Sequence, residues 1–305
     1  MTFKISDTPI LNGKIALVTG GNVGLGYETV KAIASRGAHV VLVSRSESKG
    51  KAAIDAIRNE NPSASVDLLQ MDLATIASIK AGVQEFQKNH KYLDILVNNA
   101  GIMAMPERKT EDGFESQFGV NHLGHWVLTA LLMPSLMAAP EARVVTVTSS
   151  AHHMKWNINF KDPHMRKRYS AWGAYGQSKL ANYYFALGLH EEFVKRGLNI
   201  KSLLAHPGLS HTNLQVESHK QGGAGIWGPF FEKSTAKSGM SAADGALPQI
   251  RAALDPAAKS REFYAPRYLM KGVPVKRPFL RPGYRKVIEK LWQLSENETG
   301  VKISF

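Results

Sequence analysis

Nothing in this chain restricts its fold more than the glycine-rich stretch Gly20-Gly21-Asn22-Val23-Gly24-Leu25-Gly26. It follows Lys14–Thr19, a short apolar run that ends in a turn signal and reads as a buried parallel strand. It precedes a helical pattern over Tyr27–Arg36. Strand, glycine turn and helix together suit a pyrophosphate. Bare backbone lets the phosphates approach, and the helix N-terminus offers N–H groups and positive potential. The spacing is T-G-x-x-x-G-x-G from Thr19 to Gly26 rather than G-x-G-x-x-G. Gly20, Asn22, Val23, Gly24 and Leu25 are therefore candidate cofactor contacts. Tight packing alone would account for the glycines but not for their place between strand and helix.

The next strand, His39–Ser44, ends about twenty residues beyond the turn, where a carboxylate would accept hydrogen bonds from the ribose hydroxyls of NAD. This chain has Ser44-Arg45 there. A carboxylate repels a 2′-phosphate, whereas an arginine beside a small hydroxyl residue binds one, so the expected cofactor is NADP(H) in preference to NAD(H). Ser46–Asn61 reads as a helix stopped by Pro62, and Asp67–Met71 as a third strand. Asp72 and Leu73 follow, ahead of a helix over Thr75–Asn89. Asp72 can cap that helix or face an adenine amino group, and both residues join the candidate cofactor contacts. Leu93–Val97 is a fourth strand and runs into Asn98-Asn99-Ala100-Gly101.

Tyr175-Gly176-Gln177-Ser178-Lys179 places a phenol and an ammonium on one face of a helix. A phenol ordinarily titrates near pH ~10. An ammonium beside it favours the phenolate, so the pair suits moving a proton on or off an alcohol oxygen. In order and interval, Thr19–Gly26, Asn98–Gly101, Ser149, Tyr175/Lys179 and Pro207-Gly208 resemble the short-chain dehydrogenases/reductases, over roughly Lys14–Ala253. Asn121-His122-Leu123-Gly124-His125, Ala151-His152-His153, Ser178-Lys179-Leu180-Ala181-Asn182 and Leu291-Trp292-Gln293-Leu294-Ser295 are similar to the retinol-dehydrogenase-like branch.

The resemblance implies a Rossmann-type α/β fold, a doubly wound parallel sheet of about seven strands in a single domain spanning 1–305. It implies that Asn121, in the helix after the fourth strand, holds a water linking the lysine to solvent. A serine at the end of the fifth strand, Arg143–Thr148, would hydrogen-bond the substrate oxygen. Ser149 and Ser150 are both candidates, and they point to opposite faces. Aligning Arg143-Val144-Val145-Thr146-Val147-Thr148-Ser149 with the family favours Ser149. Tyr175 would give or take the proton, while Lys179 lowers its pKa and binds the nicotinamide ribose. Asn99, Ala100, Gly101, Tyr175 and Lys179 would also touch the cofactor. So would Pro207 and Gly208, in the turn after the sixth strand (Ile200–Ala205), together with Thr212. No metal is required. Adjacent His152 and His153 cannot both face one ion from a regular element, so they are expected to line or support the pocket.

Ala151–Ala174 is a long connection rich in aromatic and basic residues, expected to wall the substrate pocket. Gln221–Phe231 alternates glycine with Ile226, Trp227, Phe230 and Phe231, which suits a lid over an apolar substrate, placed at 213–240. A helix over Ser241–Ala253 and a seventh strand over Glu262–Ala265 complete the domain. A basic C-terminal extension at 266–305 follows, comprising the Pro- and Lys/Arg-rich excursion Pro266–Pro282 and a last helix over Tyr284–Ser295. If the excursion covers the sheet edge, it removes a surface through which many family members associate. Monomer, homodimer and tetramer all stay open.

The 305 residues contain no cysteine, which excludes disulfides, thiol catalysis and thiolate metal sites. Net charge is +13, with much of the excess in the last third. These cations are interspersed with Pro and apolar residues and form no compact tract, which argues against nucleic-acid binding. No apolar run is long enough to cross a bilayer and no secretory signal is visible, so a cytoplasmic location is expected, with peripheral membrane contact still open. The activity expected is hydride transfer between a nicotinamide and a lipophilic carbonyl or alcohol of retinoid, steroid-like or long-chain type. The alternative is a non-catalytic dinucleotide sensor, for which an activated phenol has no use.

Overall fold

The computed structural model describes residues 3–210, 239–279, 281 and 283–305. Strands β1 (Ile15–Thr19), β2 (His39–Ser44), β3 (Val66–Gln70), β4 (Ile95–Asn98), β5 (Ala142–Val147), β6 (Ile200–Ala205), β7 (Phe263–Pro266) and β8 (Pro274–Arg277) form one sheet in the order β3-β2-β1-β4-β5-β6-β7-β8. The first seven run parallel. The order reverses between β1 and β4, and doubly wound sheets open a ligand crevice at such a switch point, beyond the C-terminal strand ends.

Both faces of the sheet are covered, because residues alternate sides along each strand. Ala16, Val18, Val40 and Leu42 pack into one apolar cluster with residues of α1 (Gly24–Ala34) and α2 (Glu47–Glu60). Leu17, Val41 and Val43 pack on the other side with α3 (Ile76–Asn89). The short α4 (Ser116–Phe118) leads through a π turn, Gly119–Leu123, into α5 (Gly124–Met137). The longest helix, α6 (Ala171–Lys195), carries the Tyr175/Lys179 pair, and α7 (Ala242–Leu254) and α8 (Tyr284–Thr299) follow.

The strand count is eight rather than about seven. The excursion after β7 holds the extra strand, β8, which pairs antiparallel with β7 from Phe263↔Arg277 to Pro266↔Pro274. Pro274 at its start, Pro278 just beyond its end, and its lysine and arginine conceal the run Pro274–Arg277 from a reading based on apolar periodicity. β8 occupies the outer backbone edge of β7 within the same chain, so that edge is paired internally. Asn121 likewise lies in the π turn and not in regular helix.

The basic residues of the last third are largely engaged in the fold. Arg285 pairs with Glu191 at 3.2 Å, Arg261 reaches the Tyr284 hydroxyl at 3.2 Å, and Arg277 and Arg281 donate to backbone carbonyls. Among the described residues, no helix is long and apolar enough to cross a membrane, and no group of three His, Cys, Asp or Glu side chains is placed to hold a metal.

Candidate active site

At the C-terminal end of β1 the chain turns through Gly20 (φ +64°) and enters α1 at Gly24 (φ +58°), conformations open chiefly to glycine. The N-cap of α1, Val23, supplies no side-chain cap, so the first N–H groups of the helix are left for an external acceptor. A Cβ at Gly26 would lie 2.1 Å from the Gly20 carbonyl oxygen and 2.6 Å from Asn99 Nδ2. The turn therefore closes tightly on the β4 loop and leaves a bare cradle at the helix N-terminus. These features fit a dinucleotide pyrophosphate held by Gly20, Asn22, Val23, Gly24 and Leu25.

Asn99 and Ala100 adjoin this cradle. Both of their N–H groups donate to Thr19 Oγ1 at 2.9 Å, and Asn99 Nδ2 donates to the Thr19 carbonyl at 2.8 Å. Gln249 of α7, absent from the sequence-based candidates, donates to Asn99 Oδ1 at 2.9 Å and Thr29 Oγ1 at 2.7 Å. At the end of β2, Arg45 is exposed and forms no ion pair among the described residues. Ser44 is buried, and its hydroxyl bonds the Ser46 backbone, donating to the carbonyl at 2.9 Å and accepting from N–H at 3.2 Å. It shapes the turn that presents Arg45. Asp72 caps locally, accepting from Ala74 N–H at 2.9 Å, and Leu73 is buried beneath Gly124.

The β5 end and α6 bring the second group together. Ser149 ends the β5 segment and caps a 3-10 turn over Ser150–Met154, accepting from Ala151 N–H at 3.3 Å. Its hydroxyl is near enough to the buried Tyr175 phenol to favour the phenolate, whereas Ser150 belongs to the turn itself. Lys179 is also buried. Its Nζ lies 5.9 Å from the Tyr175 ring centroid and 3.4 Å from the Val147 carbonyl. The Thr148 hydroxyl donates to the Lys179 carbonyl at 2.7 Å, so strand end and helix are locked in register. A Cβ at Gly101 would sit 3.3 Å from Lys179 Nζ and 3.0 Å from Asn121 Oδ1, so the β4 loop, the π turn and α6 meet at one point. The Asn121 amide bridges Ile102 and Ser178: Nδ2 donates to Ile102 O and to Ser178 Oγ, each at 2.9 Å, and Oδ1 accepts from Ile102 N–H at 2.8 Å.

Burial shapes the electrostatics. It pulls the Lys179 ammonium down to about 8. It pushes the Tyr175 phenol up, opposed by the Ser149 hydroxyl. The lowering expected from Lys179 is not among the influences on the phenol; the cost of desolvating a phenolate dominates, and Tyr175 is protonated at neutral pH. Pro207 and Gly208 (φ +72°) turn the chain after β6, and the Ser210 hydroxyl donates to the Pro207 carbonyl at 2.9 Å. Thr212 and nearly all of the 213–240 lid lie outside the described residues.

The segment after Ser149 is pinned to its surroundings. The Tyr169 hydroxyl donates to the Met105 carbonyl at 2.8 Å, and Gln177 of α6 donates to Pro163 O at 2.7 Å and accepts from Asn159 N–H at 2.9 Å. His152 Nδ1 donates to the Ser149 carbonyl at 2.5 Å, and the ring centroids of His152 and His153 lie 3.9 Å apart. Arg281, from the C-terminal excursion, caps the end of this turn by donating to the carbonyls of His152 (2.6 Å), Lys155 (3.0 Å) and Trp156 (3.1 Å). No local sequence signal announces this long-range clamp. Arg281→Ala is expected to destabilise the protein by about 1–3 kcal/mol, since three carbonyls lose a charged donor. Urea unfolding measures this; an unchanged midpoint would show that the clamp contributes nothing.

A model of the family described as short chain dehydrogenase matches residues 14–222. This chain belongs to that family. Human retinol dehydrogenase 12 is 37% identical over 299 residues, covering 96% of this chain and 88% of that protein. Polyprenol dehydrogenase of Danio rerio is 39% identical over 217 residues, 70% of this chain and 67% of that protein. A crystal structure of a protein from Mycobacterium paratuberculosis superposes with a TM-score of 0.79 at 35% identity, covering 100% of both chains. The match places this short-chain dehydrogenase on the retinol-dehydrogenase-like branch, within a family of oxidoreductases that bind nicotinamide dinucleotides.

Proposed function

We propose that this short-chain dehydrogenase is an NADP(H)-dependent oxidoreductase that interconverts an apolar carbonyl compound and its alcohol. One observation carries the reading: the buried Tyr175 phenol has the Lys179 ammonium 5.9 Å from its ring centroid and the Ser149 hydroxyl as its neighbour at the β5 end, beside the dinucleotide cradle. NADPH, when bound, supplies the hydride. The chain supplies the rest. Ser149 and Tyr175 direct their hydroxyls at the carbonyl oxygen and stabilise the charge that develops there. Tyr175 gives that oxygen its proton, and its own oxygen, left anionic, is held by the Lys179 charge and the Ser149 hydroxyl. Asn121 braces Ser178, next to Lys179 on α6, and is the residue proposed to hold a water linking the lysine to solvent.

Substrate class follows from the relatives' names, retinol and polyprenol dehydrogenase, whose alcohols are long and apolar. An aromatic wall agrees with it: Trp172 packs edge-on to Tyr175, with ring centroids 6.1 Å apart at 77°. The cofactor preference rests on Arg45, an exposed guanidinium where an NAD enzyme would carry a carboxylate. Titration with NADPH and NADH tests it. Tighter NADPH binding is expected in the wild type, and Arg45→Ala should weaken NADPH by about tenfold while sparing NADH, the effect of losing one charge-assisted contact. Equal affinities, or an Arg45→Ala variant that binds NADPH like the wild type, would refute the preference.

A further inference from the structure

His125 takes no part in the proton transfer proposed above, yet it is completely buried and both ring nitrogens are engaged. Nδ1 lies 3.0 Å from the Asn121 carbonyl oxygen, and Nε2 lies 2.9 Å from Thr19 Oγ1. A carbonyl oxygen only accepts, so Nδ1 carries the proton. Thr19 Oγ1 already accepts from the N–H groups of Asn99 and Ala100, which fills both its lone pairs. Its own proton therefore goes to Nε2 at 2.9 Å rather than to the more distant Val97 carbonyl at 3.3 Å. The ring is the neutral Nδ1–H tautomer. Burial agrees, pulling its pKa down to about 4, with the nearby Lys179 charge acting in the same direction.

One continuous chain of hydrogen bonds results. It runs from the N–H groups of the β4 loop to Thr19 at the β1 end, through the imidazole, to the carbonyl of Asn121 in the π turn. From there the Asn121 side chain grips Ile102 and Ser178, the residue beside Lys179 on α6. A π turn opens the regular backbone ladder, and the His125 side chain supplies the Asn121 carbonyl with a donor there.

We propose that His125 is a positioning residue, a two-ended strut that holds the Asn121 turn, and with it Lys179 and Tyr175, in register with the dinucleotide-binding turn. Its catalytic consequence rests on the function proposed above; its effect on cofactor binding does not. A motif residue to which the sequence assigns no role thus joins the two halves of the site.

Three variants separate the two ends of the strut. His125→Phe removes both bonds. His125→Asn keeps a donor near the Nδ1 position for Asn121, and His125→Gln can still offer an acceptor to Thr19. NADPH affinity, read by quenching of tryptophan fluorescence, is measured for the wild type, Thr19→Val, His125→Phe and the double variant. Since Thr19→Val and His125→Phe break the same chain, their combined effect should fall short of the product of the single effects by about threefold or more. kcat for carbonyl reduction should drop about tenfold or more in His125→Phe, with part recovered in His125→Asn or His125→Gln, as expected when catalytic groups lose their alignment.

Multiplicative effects on NADPH affinity would overturn the strut. So would a His125→Phe protein that melts earlier but keeps wild-type affinity and an unchanged pH profile of kcat/KM, because His125 would then be a core residue only. If His125→Phe fails to fold, the same cycle run with His125→Asn decides the matter. A wild type that binds NADPH but turns over no carbonyl would refute the proposed function, while the binding cycle would still judge the strut.

Discussion

Replacing Tyr175 with phenylalanine is expected to lower kcat for carbonyl reduction by about 10²–10⁴-fold, the usual size of a lost general acid. The variant removes one oxygen from a buried ring and leaves the cradle at Gly20–Gly26 untouched, so NADPH affinity should stay within about twofold of the wild type. Two assays on one preparation, steady-state NADPH oxidation and a binding titration, measure both. Loss of turnover with binding retained marks a group that acts on the substrate. Wild-type turnover in Tyr175→Phe would remove the phenol from the mechanism and leave the Ser149–Tyr175 contact as packing. The raised phenol pKa also sets a direction: at neutral pH Tyr175 is a donor, which suits reduction, whereas oxidation needs the phenolate and should quicken as pH rises.

Lys179→Met should cost about 10²–10³-fold in kcat/KM, since it removes the charge that holds the tyrosine oxygen. Its pH signature is more specific than its size. With the ammonium pulled down to about 8 by burial, the wild type is charged below that pH and loses the charge above it. kcat/KM for reduction should therefore be level at low pH and fall above about 8, and Lys179→Met should lack that limb. Stability changes in a defined direction too. Between about 8 and the ordinary value of 10.5, the unfolded lysine binds a proton that the folded one has released. Wild-type stability, measured against Lys179→Met, should thus rise with pH across that window, because burial of the charge is unfavourable below it. A difference independent of pH would mean that Lys179 is neutral, or solvated, throughout.

Much of this was legible in the sequence, for reasons that can be named residue by residue. Buried parallel strands such as Leu17–Val18 and Val40–Val43 are apolar runs bounded by turn residues, and glycine marks the backbone that must stay bare. Tyr175 and Lys179 are neighbours on one helix, so spacing alone put them together. β8 escaped notice because its register with β7 is set across the chain and not by its own alternation. The clamp of Arg281 on the Ser149 turn, the hold of Gln249 on Asn99 and the His125 strut all join residues far apart in sequence through single side chains. An arginine, a glutamine and a histidine carry no local mark of such partners. The direction of the Tyr175 pKa is illegible in the sequence for a related reason: burial is a property of the whole fold, and it dominates the phenol here.

The most direct test of the central claim is a single-turnover measurement. Purified protein loaded with NADPH is mixed with a series of aldehydes and ketones that includes all-trans-retinal and long-chain aldehydes, and both NADPH consumption and alcohol formation are followed, with NADH run in parallel. The predicted result is one alcohol formed per NADPH consumed for the apolar members of the series, faster with NADPH than with NADH, and lost in Tyr175→Phe. Tight NADPH binding without turnover of any carbonyl would contradict it, and would point instead to a protein that senses the dinucleotide.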